Sequence, residues 1–183
     1  MTPTPHGVVT ALRTGPAPAS EAQARIPRGP GLYAWWAPPG SLPGITGPAH
    51  PSVSDLELLY VGIATDLRQR VIGKHLRRGT GGSTLRRSLA ALLADTEHLR
   101  TRWTSTRVVL VSDDEQRLTA WMRDTLQLTW CEHPHPRQAE PAVIAALRPP
   151  LNLDHNANNA SYALVKTARA AWLASAGPRP PRQ

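Results

Sequence analysis

The sequence predicts a single α+β domain, and three observations carry that prediction. Two apolar runs of strand length, 31–36 and 56–63, stand on either side of a loop whose residues 38–54 hold five Pro and three Gly. Helical periodicity takes over from Asp66 and recurs towards the C-terminus. A length of 183 residues suits one domain with a real core and is short for two.

In chain order, residues 1–28 are rich in Pro, Ala and Thr with no sustained period. They read as a disordered tail, with 8–12 as a short strand or a turn of helix. The run 31–36 is aromatic and stops at Pro38-Pro39, as a strand should. After the second strand, Asp66 stands at an N-cap position, and Leu67, Val71 and Leu76 share one helical face. Gly79 to Gly82 break that helix. The next one starts at Ser83 or Thr84, with Leu85, Leu89 and Leu92 as its core stripe. Residues 107–111 read as a strand. Ser112 and Glu115 have capping-box spacing and open a helix that buries Leu118, Trp121, Met122 and Leu126. Another short strand follows at 128–131. Pro141 pushes Glu140 out of helical dihedrals, so a helix is expected over 141–147 with Glu140 as its N-cap. A last amphipathic helix spans 161–174, and 175–183 form a second, basic, disordered tail. The folded domain is therefore 29–174.

The formal charge is +8 and the pI near 10.9, which points to a polyanionic partner. Nineteen of the 21 basic residues are Arg, in a chain rich in Ala and Pro and without Phe. A GC-rich coding sequence gives the same bias, so the placement of the charges counts for more than their sum. Arg68, Arg70, Lys74, Arg77, Arg78, Arg86 and Arg87 crowd into one stretch with Asp66 as the nearest acid. The glycine break inside that stretch leads into a helix N-terminus able to hold a phosphate. It is no P-loop, lacking both the Lys before Ser/Thr and a preceding strand.

Several classes are excluded. Cys131 is the only cysteine, so there is no intramolecular disulfide and no Cys-based zinc site. In an apolar strand it reads as an inert thiol. The N-terminus lacks the apolar core of a signal peptide, and no run approaches the roughly 18 apolar residues of a membrane span. A soluble, cytoplasmic protein with no membrane partner is expected. His133 and His135 alternate with prolines, an exposed-loop pattern.

Two tripeptides hold the most information: Gly31-Leu32-Tyr33 and Tyr60-Val61-Gly62. Arg70 follows on the next helix, and Glu140 and Asn152 come late in the chain. This ordered set resembles the GIY-YIG nuclease family, with Leu and Val in place of the two isoleucines. Gly82 to Arg86 and the Trp121-Met122 helix look like a small bacterial branch of it, and the resemblance covers about 29–156. It implies a GIY-YIG-like fold, a small three-stranded antiparallel sheet flanked by helices with the tripeptides on paired strands. It also implies a metal-dependent endonuclease hydrolysing phosphodiester bonds in DNA, or RNA, with one Mg²⁺ or Mn²⁺ ion. Glu140 would be the metal ligand, Arg70 the clamp on the scissile phosphate, and Asn152 a buttress.

Such chemistry needs a deprotonated water, a cation on the phosphate and donors for developing charge. A lone carboxylate suits Mg²⁺, which keeps waters and takes substrate oxygens. A tyrosine with an ordinary pKa of about 10 is a poor base at neutral pH and needs a neighbour for its proton. The assignment is Tyr33 as the activating residue, Tyr60 as its hydrogen-bonding partner and His75 as assistant. In the family the assistant lies four residues after the arginine. Here that position is Lys74, and His75 is rotated by roughly 100° unless a bulge at Gly73 restores it. Either Lys74 or His75 faces the site. Arg68, Lys74, Arg77, Arg78, Arg86 and Arg87 are the expected nucleic-acid contacts. The alternative function is a non-catalytic nucleic-acid-binding module of the same fold, and either a monomer or a homodimer fits the sequence.

Overall fold

The folded domain begins earlier than composition predicts. The computed structural model describes residues 2–77 and 79–180. Arg78, one of the expected nucleic-acid contacts, lies outside them, as do 181–183. Helix α1 (Pro5–Leu12) is capped by Thr4, whose Oγ1 accepts from Gly7 N at 3.2 Å. Pro5 therefore starts a helix, where its missing N–H costs nothing. Val8 and Leu12, one turn apart, are fully buried. A two-residue strand β1 (Ala17–Pro18) leads into α2 (Ala19–Arg25), which buries Ala19 and Ala22, with Ile26 beyond it. The expected N-terminal tail is thus corrected. Its apolar residues are too sparse among Pro and Ala to show a period, yet Val8, Leu12 and Ile26 land in the core and Val9 packs against it.

β2 (Gly31–Ala37) and β3 (Glu57–Ala64) pair antiparallel, and β2 also pairs with β6 (Gln127–Glu132). The three-stranded sheet expected becomes four-stranded, in the order β1-β6-β2-β3, because β1 adds to β6 at the edge. β2 is central and buried at every position, which explains its unbroken apolar run. A separate two-stranded hairpin joins β4 (Thr101–Trp103) to β5 (Val108–Leu110).

The period of two along β2 sorts the molecule into layers. Leu32, Ala34 and Trp36 pack with α1 and with Val143, Ile144 and Leu147 of α5 (Pro136–Leu147). Tyr33 and Trp35 point the other way, into a core with Leu85 and Leu89 of α3 (Thr84–Leu92). Leu118 and Met122 of α4 (Ser112–Thr125), and Val165 and Trp172 of α6 (Tyr162–Ala174), complete that core. Among the described residues no helix is long and apolar enough to cross a membrane.

Four local expectations are corrected. The capping box of α4 does not form: Val111 holds the N-cap position and the Glu115 side chain turns away to other partners. α5 starts at Pro136, so Glu140 is inside the helix rather than its cap. Pro141 and Arg137 are both exposed, so the bond that Pro141 cannot make to the Arg137 carbonyl is lost on the solvent side of the helix. His133 is buried, its Nε2 lying 3.1 Å from the Pro3 carbonyl that the N-terminal segment brings over it. Beyond α6, Trp103 Nε1 donates to the Gly177 carbonyl at 3.0 Å and Arg179 lies over the Trp103 ring, so the described part of the C-terminal segment is held by the hairpin.

Candidate active site

The β2–β3 register puts Tyr33 opposite Gly62 and Trp35 opposite Tyr60. Directly opposed residues share a face, so the two tyrosines stand on the same side, with ring centroids 6.5 Å apart. Gly62 makes this possible. A Cβ there would fall onto the hydroxyl and Cζ of Tyr33, so only glycine lets the Tyr33 ring lie across β3. At Gly31 a Cβ would strike the Cys131 carbonyl and, at 2.8 Å, Leu67 Cδ1, so β2 can start close to both β6 and the next helix only with glycine. Each glycine of the tripeptides is a clearance.

The helix after β3 solves the register question. Asp66 Oδ1 accepts from Gln69 N at 2.7 Å as a cap. From Gln69–His75 the helix is of π type, and Leu76 N donates to the Val71 carbonyl at 3.1 Å, an i→i−5 bond. Residues five apart then stand one turn apart on one face. Arg70 Nε donates to the Tyr33 hydroxyl at 3.3 Å, and His75 Nε2 lies 2.7 Å from the same oxygen. His75, not Lys74, reaches Tyr33. A Cβ on Gly73 would meet only Gln69 Cγ at 3.8 Å, so sterics do not demand glycine there. On its far side His75 Nδ1 is 2.7 Å from Ser83 Oγ, which caps α3 by accepting from Arg86 N at 3.1 Å.

Burial dominates the titration of this cluster. It pushes Tyr33 far above the ordinary tyrosine value, with the Tyr60 and Glu140 charges adding and Arg70 opposing. It raises Tyr60 likewise, against the Arg70 charge. It holds His75 well below 6.5, with Arg70 and then Arg86 pushing the same way. At neutral pH both tyrosines carry their protons and the histidine is neutral.

Asn152 belongs to the architecture of the site. β3 is an edge strand, and Asn152 pairs with its free side: Oδ1 accepts from Val61 N at 2.9 Å and Nδ2 donates to Val61 O at 2.8 Å. Leu151 N donates to Leu59 O at 3.0 Å beside it. A two-residue splice thus stands in for a strand and holds the backbone on both sides of Tyr60.

Glu140 stands apart from this cluster on α5 and forms no hydrogen bond or ion pair among the described residues. Burial raises its pKa; His155 and Arg137 lower it and Asp154 raises it. Its charge still acts on both tyrosines. An uncommitted, half-buried carboxylate with a second acid nearby fits a hard cation that draws its other ligands from water and substrate. No group of three or more His, Cys, Asp and Glu gathers as a ready-made cage among the described residues.

A model of the GIY-YIG catalytic domain matches residues 31–171. The chain belongs to the GIY-YIG family. No curated protein and no solved structure matches the chain significantly. The family is one of nucleases, so a nuclease-type active site and a nucleic-acid substrate follow for this GIY-YIG domain in general terms.

The basic stretch divides within this frame. Arg86 is fully buried: Nη1 bonds His75 O at 2.8 Å and Thr119 Oγ1 at 2.9 Å, and Nη2 pairs with Glu115 Oε2 at 2.8 Å. It contacts no solvent, so its expected role in nucleic-acid binding is corrected to a core one. Lys74 and Arg77 line a groove of about 1140 Å³ to which Gly81 and Arg86 also contribute, while Arg68 and Arg87 are half-buried. Sequence reasoning did not place Ser83, Glu115 or Asp154 around the site. Only Ser83 carried a signal, as the N-cap of α3.

Proposed function

We propose that this GIY-YIG protein is an endonuclease that hydrolyses phosphodiester bonds in DNA with one bound Mg²⁺ or Mn²⁺. The observation that carries the reading is the convergence of Arg70 and His75 on one buried tyrosine hydroxyl. Tyr33 is neutral and its oxygen accepts from Arg70, so its own proton is free to go to His75 Nε2. A neutral imidazole that accepts there carries its hydrogen on Nδ1 and gives it to Ser83 Oγ. When Tyr33 takes a proton from the attacking water, His75 removes the one Tyr33 already holds. The tyrosine therefore relays a proton and never has to exist as a free phenolate at its raised pKa.

Arg70 is half-buried with no carboxylate partner among the described residues, leaving its remaining N–H groups for the scissile phosphate. Tyr60, held by the Asn152 splice, flanks that position. Glu140 would hold the cation, which when bound supplies charge stabilisation on the phosphate and eases ionisation of water. The alternative of a non-catalytic binding module loses one of its two supports, the shifted histidine, because the π-helix returns His75 to Tyr33.

Supercoiled plasmid incubated with Mg²⁺, Mn²⁺ or EDTA tests the reading. Metal-dependent nicking that vanishes in Glu140→Gln, with an unchanged melting temperature, is the expected result. Cleavage that persists in EDTA or in the variant overturns the metal assignment. Binding without cleavage in any metal returns the protein to the binding-module class.

A further inference from the structure

Three arginines outside the catalytic cluster act on one another through their charges, and two of them, Arg87 and Arg169, also couple to Tyr60. Arg87 on α3 donates from Nη1 to Thr80 O at 3.5 Å and Gly81 O at 3.4 Å, and from Nη2 to Thr84 Oγ1 at 3.2 Å. Arg107, from the turn of the β4–β5 hairpin, donates to the same Gly81 carbonyl, so two guanidinium groups share one acceptor. Arg169 approaches from α6, which packs on α3. Arg107 is exposed and the other two are half-exposed.

None of the three forms an ion pair among the described residues, whereas Arg86, Arg100 and Arg117 are matched to acids. Burial, followed by the charges of Arg169 and Arg107, pushes Arg87 below the ordinary arginine value, and the Arg70 charge adds to this. The Arg169 charge also reaches Tyr60. Like charges gathered in this way, with donors still unclaimed, destabilise one another until a polyanion arrives.

We propose that Arg87, Arg107 and Arg169 form one track for the DNA backbone phosphates flanking the scissile phosphate on Arg70. The assignment rests on the nuclease reading and deepens it by choosing a path. The substrate strand runs past Tyr60 over the Gly81 turn, and not into the groove that this turn also lines together with Lys74, Arg77, Arg102 and Arg123. In that groove Arg123 already donates to the Leu76 carbonyl at 3.4 Å, and the Arg86–Glu115 pair forms part of the lining.

The test is duplex-DNA binding by fluorescence anisotropy in EDTA across a salt series, with steady-state cleavage in metal measured in parallel. Three proteins are compared: the intact chain, Arg87→Gln/Arg107→Gln/Arg169→Gln, and the groove set Lys74→Gln/Arg77→Gln/Arg102→Gln/Arg123→Gln. Each lost phosphate contact removes about 0.9 from the slope of log K against log salt, so the track variant should lose about 2 to 3. Its KM should rise while kcat at saturating DNA stays within about twofold, since none of the three touches the reacting atoms. Because Arg87 also ties down the Gly81 turn, Arg107→Gln/Arg169→Gln serves as the second variant, with about two-thirds of the loss.

An unchanged slope in both track variants overturns the proposal, as does an equal or larger loss in the groove set. Cleavage by the intact chain together with unchanged track variants sinks this inference alone. DNA binding along the track without any cleavage sinks the nuclease reading alone. No DNA binding by the intact chain at low salt sinks both.

Discussion

Arg70 and Arg86 flank the same histidine and meet opposite fates. Arg86 is sealed in the core with its charge matched by Glu115 and its N–H groups taken by His75 O, Thr119 Oγ1 and Glu115 O. Arg70 is half-buried, donates a long bond to the Tyr33 hydroxyl beside Tyr60, and pairs with no acid among the described residues. A buried cation whose charge is matched and whose terminal N–H groups are bonded is scaffold, even though the Arg86 Nε finds no partner. A cation held in place by burial but left without its counter-charge is ready to receive one from outside. The two sit in one run of basic residues, and the partners each finds decide which is which.

The largest effect that would sharpen the contrast is on stability. Arg86→Ala leaves the Glu115 carboxylate without its cation and the His75 carbonyl without its donor, and should cost about 3–5 kcal/mol. Urea denaturation reads this directly, and a loss below about 1 kcal/mol would erase the distinction between the two arginines. Arg70→Ala should do the reverse. Cleavage should fall by about 10²–10³ with the unfolding midpoint unchanged, as for removal of one donor to a developing charge. A folded but equally active Arg70→Ala protein would mean that the uncommitted arginine is idle.

The next contrast lies between two glycines. Gly62→Ala must displace Tyr33 and should cost about 1–3 kcal/mol, with changed near-ultraviolet circular dichroism from the shifted ring. Gly73→Ala has room, and helix propensity favours it by up to about 1 kcal/mol. Equal effects at the two positions would contradict the clearance argument.

The smallest effect is the pH dependence of stability. His75 is held neutral in the fold, with its pKa depressed first by burial. In the unfolded chain it titrates near 6.5, so below that pH the unfolded state binds the extra proton. Stability should fall as pH drops from about 6.5 towards the folded value, by up to about 1.4 kcal/mol per pH unit. Glu140 has the opposite sign. Its pKa is raised, so its contribution is present in acid and is lost as pH rises through the raised value, but partial exposure keeps it small. Thermal melts of His75→Gln should show a flatter acid limb than the parent; an identical limb would place the titration elsewhere.

Local chemistry alone determined much of this protein. The β2 and β3 runs, the Asp66 and Ser83 caps and the Leu85, Leu89, Leu92 stripe each follow from short-range propensity and period. The paired tripeptides with Arg70, Glu140 and Asn152 made the family legible before any coordinate. Tertiary structure decided the rest, because each remaining choice depended on a partner distant in sequence. Whether Lys74 or His75 faced the tyrosine depended on a π-helix, and Tyr33 and Ser83 hold the histidine that it presents. The asparagine buttress needs the free edge of a strand 91 residues earlier. The N-terminal helices have too few apolar residues to declare themselves until α5 and β6 supply the surface they cover. Arg70 and Arg86 carry the same side chain in the same basic stretch, and only Glu115, reaching over from α4, separates the buried ion pair from the open clamp.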